Sequence, residues 1–200
     1  MMRHLIAAAT RLVTGVRQLP GPPCADEPIV FFSNHTSHLD FTVIWSALPH
    51  ALRSRLSPAA AEDYWGKSPL RRRIACDFFH AILIPREGIT RNNSPIDRLA
   101  AALDAGRSIL IFPEGTRRSD GMVGDFRPGL FHLAKRFPTV PLVPVYLENL
   151  NRVLPKGSLL PVPIIAQAHF RPALFLSPEE AKADFLERAR SALLAKSITP

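Results

Sequence analysis

The chain has 200 residues, with 25 Lys+Arg against 17 Asp+Glu, a formal net charge of +8, 46% apolar residues and 21% charged residues. Those proportions exclude a disordered chain, a collagen and a coiled coil, and the length suits one globular domain. The basic excess is mostly arginine, 20 Arg against 5 Lys. Arginine offers a planar fork that grips phosphate through two parallel hydrogen bonds. The composition therefore points either to a phosphorylated or anionic partner or to a solvated basic surface. Cys24 and Cys76 are too few for a disulfide framework and read as free thiols.

The amino terminus comes first in chain order. At about 100° per residue, Leu5, Ile6, Ala9, Leu12, Val13, Val16 and Leu19 share one face, and Arg3, Thr10, Arg11, Thr14, Arg17 and Gln18 the other. The pattern predicts an amphipathic helix over residues 1–19. Its apolar face lies either in a membrane interface or on the protein's own core. The apolar run Leu5 to Ala9 is too short for a signal peptide, and Arg11 keeps it from extending. No stretch reaches the ~18–20 apolar residues of a membrane span.

Pro20-Gly21-Pro22-Pro23 breaks that helix. Ile29 to Phe32, His80 to Ile84, Ser108 to Phe112, Leu142 to Leu147, Ile164 to Phe170 and Ala173 to Leu176 read as strands. Helices fall between them. Ser94 reads as an N-cap with Pro95 in the first turn, Asp97 at the positive end, an apolar face of Ile96, Leu99, Ala100 and Leu103, and Gly106 past the end. Gly129 to Phe137 is a short helix stopped by Pro138. Ser177-Pro178-Glu179-Glu180 is expected to open a helix running to about Lys196. Buried strands alternating with helices predict a single α/β domain whose largely parallel, mixed sheet is flanked by helices.

Two polar constellations come directly after predicted strands. In Ser33-Asn34-His35-Thr36-Ser37-His38-Leu39-Asp40, His35 and Asp40 are five apart. On one continuous helix they would diverge by about 140°. They meet if His35 sits in the turn after the strand and Asp40 in the first helical turn. The carboxylate then fixes the imidazole tautomer and leaves the other ring nitrogen to take a proton. Two structural readings compete: Ser37-x-x-Asp40 as a capping box, and His35 as a hydrogen-bonded loop histidine. A metal site on His35, His38 and Asp40 competes as well, without a second His/Cys cluster downstream. The second constellation is Phe112-Pro113-Glu114-Gly115-Thr116-Arg117-Arg118, where a glycine lets backbone N–H groups approach a ligand. Arg86 closes a third, weaker one after Ile82-Leu83-Ile84-Pro85. Gly-x-Ser-x-Gly, Walker and dinucleotide motifs are absent, so neither a protein nucleophile nor a nucleotide site is expected.

Asn34-His35-x4-Asp40, Arg86 after a strand, Phe112-Pro113-Glu114-Gly115-Thr116-Arg117, and Val140-Pro141-Leu142-Val143-Pro144-Val145 together resemble the four ordered blocks of the lysophosphatidic-acid and glycerol-3-phosphate acyltransferases. The resemblance implies acyl transfer from a coenzyme A or acyl-carrier-protein thioester to a glycerophosphate hydroxyl, with lysophosphatidic acid as leading acceptor and glycerol-3-phosphate or another lysophospholipid as alternative. It implies His35 as general base, Asp40 as its orienting carboxylate, and Arg86, Glu114, Gly115, Thr116 and Arg117 as ligands of the phosphorylated acceptor. The proline-rich block would line the acyl or acceptor site. No metal and no cofactor beyond the thioester co-substrate is implied. Residues 1–19 would be a membrane-interface helix and residues 25–200 the acyltransferase domain, peripheral on the cytoplasmic face of a membrane. The chain departs from the family where His80 replaces the usual Gly, where Pro85 replaces a charged residue, and where Phe41 follows the Asp as in the glycerol-3-phosphate branch. Readings outside this class are a metal-dependent hydrolase on His35, His38 and Asp40, an arginine-rich nucleic-acid-binding module, and an inactive lipid-binding scaffold.

Overall fold

The computed structural model describes residues 2–19, 27–37, 39–90, 93–117, 122–150 and 166–195. The described residues form one seven-stranded sheet. In chain order its strands are β1 (Arg17–Leu19), β2 (Val30–Ser33), β3 (Leu56–Ala61), β4 (Ile82–Ile84), β5 (Ser108–Ile111), β6 (Leu142–Glu148) and β7 (Gln167–Phe170). Their spatial order is β1-β7-β6-β2-β5-β3-β4. Only the β6–β7 pair is antiparallel, so the expected largely parallel mixed sheet is what the structure shows.

Side-chain alternation on the central strands builds two cores. Ile29 and Phe31 point to one face with Leu110, Val143 and Val145. Val30 and Phe32 point to the other with Ile109 and Ile111. Phe31 and Phe32 are fully buried, each burial contributing roughly 1.5–3 kcal/mol. The first core is covered by α1 (Met2–Thr14), α2 (Asp40–Ala47) and α3 (His50–Arg55). The second is covered by α6 (Pro95–Asp104), α7 (Gly129–Arg136) and α8 (Lys182–Leu194). The short α4 (Glu62–Trp65) follows β3, and α5 (Pro69–Arg72) runs into a π-helical turn over Arg73–Phe78. Helix α6 starts as expected, with Ser94 Oγ accepting from Asp97 N–H. Gly106 adopts the left-handed conformation past its end, at φ 74°.

Several expectations are corrected. The first helix stops at Thr14, because Gly15 takes φ 57° and its N–H returns to the Arg11 carbonyl. Residues 17–19 then leave as strand β1 beside β7. The last helix begins at Lys182 rather than at Ser177: Glu179 is left-handed at φ 61°, and Glu180 N–H closes a turn onto the Ser177 carbonyl. Ala173–Leu176 contributes a single bridge, Leu142 to Leu174, in place of a strand. Cys76 is a free thiol, whereas Cys24, Ile164 and Ile165 lie outside the described residues.

Helix α1 meets the domain through a mixed face. Ala7 and Thr14 are each 2% exposed, and with Arg3 and Thr10 they form the inward stripe at i, i+4, i+7 and i+11. Arg11 Nε donates to the Ser46 carbonyl in α2 at 2.6 Å. Met2, Leu5, Leu12 and Val13 face outward, Leu12 at 86% exposure. Ile6 and Val16 pack against the first core beside Ala7, so the apolar pattern of this segment is divided between the protein's own core and an outward side.

Arg3 anchors the other end of α1 by donating to the Phe78 carbonyl and to His80 Nε2, the latter at 2.8 Å. His80 has φ 55°, a conformation suited to the glycine usual at this position in the resembled family. Its imidazole is held below its ordinary pKa, first by burial and then by the charges of Arg3 and Arg107. Because the folded pKa is depressed, this contact stabilises fully above the unfolded value of about 6.5 and is lost as pH falls through the folded one. Amide protection of α1, corrected for intrinsic exchange, is expected to fall relative to α8 as pH drops from about 7.5 to about 5, and His80→Gln to flatten that dependence. Protection of α1 that is level across this range in the unsubstituted protein contradicts the tether.

Candidate active site

The carboxyl ends of β2, β3, β4 and β5 lie on one edge of the sheet, where open α/β sheets place their ligands. The β2–α2 loop carries His35. It leaves the sheet at Asn34, a buried residue whose amide does the work of a strand residue. Asn34 Nδ2 donates to the Leu147 carbonyl at 2.9 Å, and Leu147 N–H donates to Asn34 Oδ1 at 2.8 Å. The side chain thus continues the β2–β6 ladder, freeing the backbone to turn.

Beyond that turn, His35 Nδ1 lies 2.7 Å from Asp40 Oδ2. A carboxylate oxygen accepts, so Nδ1 carries the proton and Nε2 presents its lone pair. The same Oδ2 accepts from the N–H groups of Thr36 at 2.7 Å and Ser37 at 2.9 Å. Asp40 is fully buried as the first residue of α2, whose N-terminal dipole also favours its charge. The capping-box reading is half realised: Asp40 reaches the Ser37 N–H, but the helix begins at Asp40, and Ser37 Oγ accepts from the Leu39 N–H at 3.3 Å rather than from that of Asp40. The imidazole stacks on Phe112, ring centroids 4.2 Å apart and 18° from parallel, and its side chain is 24% exposed.

His35 lines a cavity of about 730 Å³. Its lining includes polar side chains, Thr36, Ser37, Arg86, Ser94, Thr116, Arg117, Arg127 and His132, and apolar ones, Ile84, Ile96, Leu99, Ile111, Leu130 and Leu133 from β4, α6, β5 and α7. Such a wall suits a ligand with a charged head and a hydrocarbon tail.

The expected ligands of a phosphorylated acceptor divide. Gly115, Thr116 and Arg117 line the cavity. Arg86 lines it too, but its fork is taken: Nε donates to Asp63 Oδ1 at 3.0 Å and Nη2 to Oδ2 at 2.5 Å. That pairing holds the Asp63 carboxyl below its ordinary pKa and raises that of Arg86. Glu114 departs from expectation. It is buried, it is not among the residues lining the cavity, and both its oxygens accept backbone N–H groups: Oε1 from His35 and Oε2 from Gly124, each at 2.9 Å. A carboxylate so engaged braces the loops rather than meeting an anion. The block from Val140 to Val145 is corrected also. Val140 and Pro141 lead into β6 and Leu142 to Val145 form its start, in register with β2 from Val30↔Leu142 to Ser33↔Val145, and none of the block is among the residues lining the cavity.

Sequence reasoning gave no role to Asn34, Phe112, Arg127 and His132. Asn34 and Phe112 stand inside the motif blocks and were legible as neighbours of the reactive residues, whereas Arg127 and His132 carry no spacing signal. His38 and Arg118 lie outside the described residues. Among the described residues, no three His, Cys, Asp or Glu side chains gather closely enough to hold a metal ion.

A family model described as Acyltransferase matches residues 11–148. Over 152 residues the chain is 30% identical to a chloroplastic 1-acyl-sn-glycerol-3-phosphate acyltransferase of Brassica napus, covering 72% of this chain and 40% of that one. It is 27% identical over 190 residues to a chloroplastic 1-acyl-sn-glycerol-3-phosphate acyltransferase of Arabidopsis thaliana, covering 92% and 48%. The human 1-acyl-sn-glycerol-3-phosphate acyltransferase alpha is 32% identical over 130 residues, covering 64% and 42%. The chain thus spans less than half the length of these curated relatives. The crystal structure of the 1-acyl-sn-glycerophosphate (LPA) acyltransferase PlsC from Thermotoga maritima superposes with a TM-score of 0.74 at 16% identity, covering 96% of this chain and 76% of that one, a likeness of fold.

Removing the Asn34 amide leaves one buried donor and one buried acceptor of Leu147 unmet. Asn34→Ala is therefore expected to cost about 2–4 kcal/mol in denaturant unfolding. A loss below about 0.5 kcal/mol, the usual scatter of surface substitutions, contradicts that role.

Proposed function

This chain belongs to the acyltransferase family, and on that premise we propose that it moves a fatty acyl group from an acyl thioester to the free hydroxyl of lysophosphatidic acid, yielding phosphatidic acid. The observation that carries the reading is the 2.7 Å His35–Asp40 contact at the wall of a cavity lined by arginines and by hydrocarbon side chains. The acceptor is inferred from the names of the relatives, and the thioester from the chemistry a histidine base can support without a nucleophile.

His35 Nε2 takes the proton as the acceptor oxygen attacks the thioester carbonyl. The new C–O bond forms, the C–S bond breaks, and the departing thiolate takes the proton back from the imidazolium. Asp40 stabilises that transient imidazolium, and the Phe112 face beneath the ring adds a cation–π contribution. No acyl-enzyme is required, because the thioester is already activated. A positioned base typically contributes ~10²–10⁴-fold. Fixing both substrates in one cavity contributes up to roughly 7–11 kcal/mol. Arg117 meets the acceptor phosphate, and hydrocarbon lies along Ile96, Leu99, Leu130 and Leu133.

The outward stripe of α1 supports attachment to a bilayer surface. Met2, Leu5, Leu12 and Val13 are exposed on one side of the helix while Arg3 and Arg11 hold the opposite side to the domain. No helix among the described residues is long and apolar enough to cross a membrane. In this reading the chain sits peripherally on the cytoplasmic leaflet, with coenzyme A or an acyl-carrier protein delivering the donor.

His35→Ala is expected to lower thiol release from an acyl-coenzyme A at least ~10²-fold with the fold retained by circular dichroism, and EDTA to leave the unsubstituted protein's rate unchanged. Near-normal turnover in the variant rejects the base assignment, and chelator sensitivity favours the metal-dependent reading. Replacing Leu5 and Leu12 together with Asp removes the stripe without touching the inward face. The double variant is expected to lose most of its cosedimentation with anionic vesicles while unfolding normally. Undiminished cosedimentation places the membrane contact elsewhere.

A further inference from the structure

We propose that Arg127, a residue that no motif marks, binds the phosphate monoester of the acceptor and forms with Arg117 a two-armed anion clamp. The clamp rests on the acyltransferase reading and adds a specific contact to it.

The backbone of the segment is pinned to the loop after β5. Arg127 N–H donates to the Pro113 carbonyl at 2.9 Å. Gly124 N–H donates to Glu114 Oε2, while the other oxygen of that carboxylate receives the His35 N–H. Val123 and Phe126 are buried, and Phe126 meets Phe32 edge-on with centroids 6.0 Å apart. The segment that carries Arg127 is thus tied, at Gly124, to the same carboxylate that accepts the His35 N–H.

The side chain is placed by an absence. A Cβ added at Gly115 would lie 2.5 Å from Arg127 Nε, 2.8 Å from Cδ and 2.9 Å from Cζ. The guanidinium lies across the bare face of Gly115, in space that any side chain there would fill. Glycine at 115 therefore serves two ends, its left-handed φ of 74° and the passage of Arg127 into the cavity. Among the described residues no carboxylate engages Arg117 or Arg127, in contrast to Arg86, whose fork is closed by Asp63. An open fork beside Thr116 and Arg117 fits a phosphate monoester, which carries close to two negative charges at neutral pH and accepts bidentate hydrogen bonds.

Two substrates of the reaction carry that group: the acceptor, and coenzyme A through its ribose phosphate. The clamp's attachment to the His35 loop favours the acceptor, whose hydroxyl has to reach the imidazole. Steady-state kinetics of Arg127→Gln and Arg127→Lys separate the two sources, with lysophosphatidic acid as acceptor and acyl-coenzyme A or acyl-dephospho-coenzyme A as donor. Losing one charge-assisted fork is expected to raise the acceptor KM roughly ten- to a hundredfold in Arg127→Gln, with kcat within about threefold because the contact precedes the transition state, and with the donor KM unchanged. Arg127→Lys keeps the charge without the fork and is expected to fall between. A raised donor KM that disappears with the dephospho donor assigns the residue to coenzyme A and overturns the proposal, as does an unchanged acceptor KM in Arg127→Gln. Failure of the unsubstituted protein to acylate lysophosphatidic acid, with turnover of another acceptor, overturns the functional reading itself and is seen before any variant is compared.

Discussion

One carboxylate oxygen, Asp40 Oδ2, collects three N–H donors: the His35 imidazole and the backbone amides of Thr36 and Ser37. A fully buried carboxylate costs several kcal/mol in lost hydration, and such a residue persists only where charge-assisted hydrogen bonds offset that cost. Here the donors come from the loop that the carboxylate shapes, so holding the loop and orienting the ring are one interaction. Breaking it would release the imidazole tautomer and the β2–α2 turn together.

The rest of the site is arranged around that oxygen. Asn34 fixes where the loop leaves the sheet, and Glu114 fixes the His35 amide from β5. Phe112 holds the plane of the ring. These contacts come from three neighbouring parallel strands and the loops after them: β2 and β5 end within a residue of each other, and β6 runs on past Val145, the partner of Ser33, to offer Leu147 to Asn34. Carboxylates near the cavity mostly brace: Asp40 the His35 ring, Glu114 two loops, Asp63 the Arg86 fork, and Glu62 the Arg98 guanidinium. The cavity itself is left with cations and hydrocarbon, the two properties an anionic lipid needs from its binding site.

Much of this was legible in the sequence where local chemistry decides the outcome. The β-branched and aromatic runs from Ile29, Ser108 and Leu142 became central strands, since such residues pack on both faces of a parallel sheet. The Ser94 cap and the Gly106 terminus acted through bonds only a few residues long. The His35–Asp40 pair was legible because strand, turn and helix start are close in sequence. Elements set by tertiary contact were not. Strand β3, Leu-Ser-Pro-Ala-Ala-Ala, has almost no strand propensity and exists because β5 and β4 pair with its two ends. The periodicity of α1 showed two faces but not which one meets the protein, and the inward side proved to be the one anchored by arginines. Glu114 read as a ligand because its motif is polar, while its partners, His35 and Gly124, are chosen by the fold. Arg127 was silent because its place depends on the missing side chain of Gly115.

The tautomer of His35 tests the central claim most directly. Long-range ¹⁵N–¹H correlation spectra of histidine-labelled protein distinguish a protonated ring nitrogen from one bearing a lone pair. In the neutral imidazole, the geometry predicts a proton on Nδ1 and a lone pair on Nε2, with Asp40→Asn abolishing that preference. A proton resident on Nε2, or a ring already averaging between tautomers in the unsubstituted protein, contradicts the account.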